Sequence, residues 1–227
     1  MAHVLGIDAA WTTKNPSGVA FVSTDGRPKL ICAAPSFEDF ILGHKPRAWG
    51  GNHDFRVSLG DVLAKAKEIR GGAVTVIAVD MPLGHEPVRA RRSCDSAISR
   101  AFGARGCATH SPTEQRPGKV SDALCREAKA AGFVLKTICS DQDGPALLEV
   151  YPHVALLELC GADFRLPYKL STRRKNFPDC DPGRRLEAVR REWDKILGSL
   201  KREIDISLDI EDGISTLREW KAWGGCD

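Results

Sequence analysis

The sequence lacks the cysteine spacing that a zinc site requires. Its eight cysteines are scattered, with no Cys-x-x-Cys pair and no paired spacing with histidine. The N-terminus has neither the basic region nor the apolar core of a signal peptide, and no apolar run reaches the ~18 residues of a membrane span. We therefore expect a cytoplasmic protein with reduced thiols and no membrane partner.

The chain also lacks a strong excess of charge of either sign. A formal net charge of +3 is too weakly basic to diagnose nucleic-acid binding by itself. There is no internal repeat, helix-turn-helix or zinc-finger motif, so we expect any nucleic-acid recognition to be of backbone and shape. The length of 227 residues predicts a single domain over residues 1–227.

Short apolar strands that carry an acid at their carboxyl end are the most informative feature that is present. The first such strand ends at Asp8, a later one ends on Asp80, and a third carries Glu149. Desolvating a carboxylate costs several kcal/mol unless it is paired, hydrogen-bonded or bound to a cation. A chain that places an acid at the end of an apolar strand three times is expected to need those negative charges for its function.

The apolar patterning predicts an α/β fold with a mixed central sheet flanked by helices. Three antiparallel strands come first, and parallel strands separated by helices follow. The predicted strands cover residues 4–8, 17–23, 29–34, 73–79 and 146–150, and the predicted helices cover residues 55–70, 89–102, 119–131, 181–200 and 214–223. Because parallel neighbours present their carboxyl ends along one edge of the sheet, the three acids are expected to share a site.

The ligands that these acids offer are oxygen atoms alone, which suits Mg²⁺ or Mn²⁺. Two such ions held ~4 Å apart activate a water nucleophile and stabilise the leaving oxygen in phosphodiester cleavage. The structural alternative is that each acid caps a following turn or pairs with a nearby arginine. Three acids on three separate strands favour the metal site.

Four segments resemble those of one protein family. They are residues 6–11 (GIDAAW), 78–84 (AVDMPLG), 92–95 (RSCD) and 149–153 (EVYPH). In combination and in order they are similar to the domain-of-unknown-function family numbered 429, whose members are regarded as predicted nucleases of the ribonuclease H-like superfamily. The resemblance covers nearly the whole chain and implies a three-layer α/β domain, with antiparallel strands one to three before the parallel strands that bear the second and third acids.

The resemblance also implies a catalytic and metal-binding set. That set is Asp8, Asp80 and Glu149, with a further aspartate at the start of the final helix, where Asp227 falls. We expect that final helix to follow Asp227 and to be missing from this sequence. The implied cofactor is Mg²⁺ or Mn²⁺ in a two-metal site.

Three further positions match the family and are candidates for substrate binding. Arg92 and Asp95 are either a substrate-side pair or a pair that anchors a helix, and Lys169 is either a phosphate contact or a solvated surface lysine. His153 departs from the family pattern, which more often has glutamate there. A satisfied structural histidine is the expectation for His153, with a metal or phosphate contact as the alternative.

Three functions are compatible with the sequence. The first is a metal-dependent nuclease acting on RNA or DNA, and the second is a non-catalytic ribonuclease H-like binding or scaffold domain. The third is an actin- or sugar-kinase-like phosphotransferase that binds ATP, since Gly6-Ile7-Asp8 followed by Thr12-Thr13 resembles the first phosphate loop of those proteins. A second phosphate loop and a duplicated domain are missing from the sequence. The oligomeric state stays open.

Overall fold

The structure is a computed structural model that describes residues 3–12, 15–43, 57–70, 72–137 and 144–206. The chain folds into two compact units. Unit 1 comprises Met1–Ala90, Pro112–Val150 and Asp205–Asp227, and unit 2 comprises Arg91–Ser111 and Tyr151–Ile204. Whether the two units behave as one domain, as the length predicts, stays a prediction.

Among the described residues, unit 1 contains a six-stranded mixed sheet. Its strands are β1 (His3–Asp8), β2 (Gly18–Ser23), β3 (Lys29–Ala34), β4 (Val74–Val79), β5 (Val134–Leu135) and β6 (Ala146–Glu149). They lie in the order β3-β2-β1-β4-β6-β5, with β1 to β3 antiparallel and with β4, β6 and β5 parallel to β1. The predicted α/β class and strand directions are confirmed, and the arrangement is consistent with a ribonuclease H-like fold.

The described residues also form helices, and those of unit 1 flank its sheet. The helices are α1 (Phe37–Leu42), α2 (Leu59–Arg70), α3 (Ser93–Phe102), α4 (Lys119–Ala130), α5 (Pro152–Cys160), α6 (Arg173–Asn176) and α7 (Pro182–Glu203). Of these, α1, α2 and α4 belong to unit 1, where α1 contacts β2 and β3, α2 contacts β4, and α4 contacts β5. No helix among the described residues is both long enough and apolar enough to cross a membrane.

The two faces of the sheet differ in side-chain size and burial. In β1 the buried Leu5 and Ile7 alternate with the half-buried Val4 and Gly6. Leu5 and Ile7 join the core of unit 1, which includes Val62 of α2 and residues of β4 and β6. Because side chains alternate along a strand, this burial fixes the face that each following residue occupies.

Unit 2 is helical, and its core is small. Leu157 of α5 packs with Cys107, Ala162 and Leu166, and α5 contacts α7. The predicted start of α7 is confirmed, since the Asp181 carboxylate accepts hydrogen bonds from two backbone amides of the first turn at 2.9 and 3.0 Å. A carboxylate in this position satisfies amides that the helix itself leaves unpaired.

The predicted elements do not all match those of the structure, and one of them is untested. The helix predicted over residues 89–102 begins only at Ser93, because Arg92 is extended and serves as the N-cap. The two-residue strand β5 was not predicted, since two residues show no periodicity. The helix predicted over residues 214–223 lies outside the described residues.

Candidate carboxylate site at the sheet edge

Asp8 and Asp80 lie at matching positions at the carboxyl ends of β1 and β4. Ile7 pairs with Val79 in the parallel ladder, and the Asp80 amide donates to the Ile7 carbonyl at 2.9 Å. Each aspartate is the next residue after that pair, so both side chains leave the sheet on the face opposite the buried Ile7 and Val79. Neighbouring strands are ~4.8 Å apart, which puts the two carboxylates within reach of one cation.

The positions around Asp8 carry small side chains. Gly18 of β2 is the direct partner of Asp8, and a Cβ placed on Gly18 would lie 3.7 Å from the Asp8 Cβ. One row behind, Gly6 pairs with Ala20 on one side and with Ala78 on the other. The exposed Asp8 carboxylate is therefore not covered by the neighbouring positions of the sheet.

Glu149 lies on the strand beside β4 but on the other face of the sheet. It is in register with Val79, one residue short of Asp80, so it follows the buried face that packs against the helices. Its Oε2 accepts a hydrogen bond from the Leu83 amide at 2.9 Å. Burial raises the pKa of Cys125 in α4, and the negative charge of Glu149 adds to that rise, which agrees with this placement.

The structure thus brings Asp8 and Asp80 together and gives Glu149 a different position. Within the described residues no group of three or more His, Cys, Asp or Glu side chains could hold a metal ion. Asp227, the fourth predicted ligand, lies outside the described residues. A pair of carboxylates still fits Mg²⁺, which proteins often bind through one or two carboxylates together with water and substrate phosphates.

The loop after β1 is held by a side chain that follows it. The Ser17 hydroxyl accepts a hydrogen bond from the Ala10 amide at 3.0 Å. Thr12, part of the phosphate-loop resemblance, accepts from the Asn15 side-chain amide at 3.4 Å, and Thr13 is outside the described residues. Nothing in these contacts is specific to a nucleotide phosphate.

In unit 2, Arg92 and Asp95 form a paired cap at the start of α3. The Asp95 carboxylate accepts from the Arg92 amide at 2.9 Å and from its guanidinium at 3.0 and 2.9 Å. Burial raises the pKa of Asp95, but the hydrogen bonds from Arg92 and the charges of Arg92 and Arg91 outweigh it and hold the pKa below its ordinary value. These contacts are those of the helix-anchoring alternative, and a substrate role stays a prediction.

His153 of α5 is buried among positively charged groups. Its Nε2 lies 2.7 Å from the Arg165 guanidinium, and its Nδ1 lies 3.4 Å from the Tyr168 hydroxyl. Burial first, and then the charges of Arg165, Lys169 and His110, lower the pKa of His153 to about 4. The ring is therefore neutral near pH 7, and its Nε2 accepts a hydrogen bond from the Arg165 guanidinium.

Lys169 directly follows Tyr168 in the chain. It is exposed and precedes a short 3-10 turn (Leu170–Thr172), whose Thr172 amide donates to the Lys169 carbonyl at 3.2 Å. Its predicted phosphate contact stays a prediction. Arg165, which the sequence did not single out, is the charged residue that directly contacts His153.

Comparison with known proteins identifies one family. The family described as "Protein of unknown function (DUF429)" matches residues 6–199. No curated protein and no solved structure matches the chain. The matched range takes in Asp8, Asp80 and Glu149, and it covers most of both units. The chain therefore belongs to the DUF429 family.

Proposed function

We propose that this protein is a divalent-metal-dependent nuclease that hydrolyses phosphodiester bonds at Asp8 and Asp80. The observation that carries the proposal is their placement side by side at the ends of two adjacent parallel strands. The sheet order, consistent with a ribonuclease H-like fold, supports it, as does the resemblance to family members regarded as predicted nucleases. The substrate is RNA or DNA.

Asp8 and Asp80 are the residues that would hold Mg²⁺ or Mn²⁺. Two neighbouring carboxylates repel each other, and this repulsion favours a shared cation over an empty pair. When bound, the ion would lower the pKa of a coordinated water and stabilise charge on the phosphate oxygens. The small residues around Asp8 leave room for a phosphodiester backbone to approach.

Glu149 has a positioning role in this proposal. Its hydrogen bond to the Leu83 amide fixes the segment that directly follows Asp80. A rigid segment there holds the Asp80 carboxylate in place without contact between Glu149 and the ion. Metal ligation by Glu149 and Asp227, as the resemblance implies, remains the alternative ligand set.

A cleavage assay tests the proposal. Labelled single-stranded and duplex RNA and DNA are incubated with Mg²⁺ or Mn²⁺, and products are resolved by size. We expect Asp8→Asn and Asp80→Asn to abolish cleavage, and Asp25→Asn, in the exposed turn after β2, to leave it unchanged. Unchanged cleavage by Asp8→Asn would overturn the proposal.

A non-catalytic nucleic-acid-binding domain is the second candidate. The position of Glu149 favours this candidate, because of the three predicted acids that the structure describes only Asp8 and Asp80 lie on the same face of the sheet. Such a domain would bind nucleic acid equally well with EDTA and with Mn²⁺, and it would cleave none of the substrates. The same assay, run beside a binding measurement, separates the two candidates.

A further inference from the structure

Arg165 and Lys169 of unit 2 both lack a carboxylate partner among the described residues, and both charges act on His153. Arg165 is half-buried and contacts the neutral His153, while Lys169 is exposed, and neither lies within ion-pair distance of an acid in the part of the chain described. The nearby Arg105 differs, because it pairs with Glu158 at 3.0 Å. Positive charges that have no counter-ion nearby attract anions.

An exposed aromatic ring adjoins this charge. Phe164 is 61% exposed, the highest value among the exposed large apolar residues Leu42, Ile69 and Phe164. A Cβ placed on Gly106 would lie 2.6 Å from the Phe164 Cζ and 3.2 Å from the Arg165 Cβ. The ring and the arginine stem therefore both rest on the backbone at Gly106.

The segment that carries these residues is fixed at both ends. The Arg165 amide donates to the Arg105 carbonyl at 2.9 Å, and the Trp193 indole donates to the Tyr168 carbonyl at 2.7 Å. Between them, Leu166 is buried in the core of unit 2. A surface that is already ordered loses little conformational entropy when it binds a ligand.

We propose that residues 164–169 form a contact surface for single-stranded nucleic acid, in which Arg165 and Lys169 bind phosphates and Phe164 stacks on an unpaired base. A base within a duplex offers no free face to a side chain, so the exposed ring selects single strands. The proposal rests on the proposed function and deepens it by naming the form of the substrate. The neutral His153 contributes by accepting a hydrogen bond from the Arg165 guanidinium, which keeps its positive charge.

Binding is measured by fluorescence anisotropy with labelled 12-nucleotide RNA and DNA in EDTA, so that no cleavage occurs. We expect Arg165→Gln and Lys169→Gln each to weaken binding about fivefold or more and to reduce the slope of log affinity against log salt by about 0.7. Arg184→Gln is the matched control, because that guanidinium pairs with Asp181 at 3.3 Å. We expect it to change affinity less than about twofold.

The ring is tested separately from the charge. Phe164→Ala is expected to weaken binding of the normal oligonucleotide about fivefold or more, and to leave binding of an abasic oligonucleotide unchanged. Equal affinity of Phe164→Ala and the parent protein for the normal strand would overturn the stacking contact. Tighter binding of the matched duplex than of the single strand would overturn the choice of substrate form.

The binding experiment can disprove the contact surface without disproving the nuclease proposal. Asp8→Asn is expected to bind the single strand like the parent protein and to lose only cleavage. If Lys169→Gln and Arg165→Gln both bind like the parent, or if the parent binds no oligonucleotide, the contact surface is wrong whatever Asp8→Asn does. Lys169 is exposed, so its variant tests the proposal even if Arg165→Gln does not fold.

Discussion

Asp8 and Asp80 stand side by side at the ends of β1 and β4, one residue beyond the paired Ile7 and Val79. The burial of Ile7 and Val79 fixes this relationship, because a slip of one residue would bring an aspartate into the core. The same rule places Glu149 on the opposite face, since it pairs with Val79. An acid at the end of a neighbouring strand therefore does not have to lie on the same face of the sheet as Asp8 and Asp80.

Replacing Glu149 separates a metal ligand from a positioning residue. In Glu149→Gln the amide oxygen can still accept the Leu83 hydrogen bond, so we expect Mn²⁺ affinity to fall less than about tenfold. Glu149→Leu removes the acceptor and is expected to lower the free energy of unfolding by about 1–2 kcal/mol. Calorimetry and urea unfolding measure the two effects. A loss of affinity in Glu149→Gln equal to that in Asp80→Asn would instead support Glu149 as a metal ligand.

The depressed pKa of His153 makes stability depend on pH. The histidine pKa is 6.5 ordinarily and about 4 in the folded protein. The unfolded chain therefore takes up a proton first as the pH falls, and stability is lost between those two values. We expect the free energy of unfolding to fall by about 2 kcal/mol from about pH 7 to about pH 4.5, in urea titrations.

His153→Gln is the control for this pH effect. Its amide oxygen can still accept from the Arg165 guanidinium, but the side chain does not titrate. The difference in unfolding free energy between the two proteins should therefore shrink as the pH falls. An identical pH dependence in both proteins would show that His153 is not the group responsible.

The Arg92–Asp95 pair is expected to matter for stability. Asp95→Asn removes the carboxylate that accepts the charged hydrogen bonds of Arg92, so the free energy of unfolding should fall by about 2 kcal/mol, measured by chemical denaturation. The cleavage rate per folded molecule should not change. A raised KM with unchanged stability would instead support the predicted substrate role.

The contribution of Asp95 to stability depends on pH. The pKa of Asp95 in the folded protein is below its ordinary value of 3.8, so this contribution is fully present well above pH 3.8 and is lost as the pH falls below it.

His3 offers a stabilising substitution. Its side chain is buried beside Phe21, and both ring nitrogens lack a hydrogen-bond partner among the described residues. His3→Leu removes a buried, unsatisfied polar group and is expected to raise the free energy of unfolding by about 1 kcal/mol. The exposed His85→Leu should stay within about 0.5 kcal/mol of the parent protein in the same urea titration. A large loss of stability in His3→Leu would contradict the assignment of His3 as unsatisfied.

Apolar runs and breaking residues are enough to predict five of the six strands in the described part of the chain, and the acids at their ends. The run before Asp80 is continuous, and Pro82 follows at once, so both the strand and its end are visible in the sequence. The start of α3 was missed because Arg92 caps it through a contact with Asp95, which depends on tertiary burial more than on periodicity. Local sequence patterns therefore predict that a helix or strand exists more reliably than they predict where it begins and ends.

The site was harder to predict than the fold. Periodicity shows that β6 is a strand, but the register of Glu149 against Val79 depends on pairing between residues far apart in sequence. No local sequence pattern marks Arg165 as a site residue either, since it lies in an irregular segment. Its position is defined by its contacts with His153 and Gly106. Such contacts appear only once the chain is folded.

Calorimetric titration with Mn²⁺ shows whether Asp8 and Asp80 together bind a divalent cation. We expect Mn²⁺ to bind the parent protein and Asp25→Asn, and its affinity to fall at least about tenfold, or 1.4 kcal/mol, in both Asp8→Asn and Asp80→Asn. Equal Mn²⁺ affinity in the parent protein and in both Asp8→Asn and Asp80→Asn would contradict this expectation.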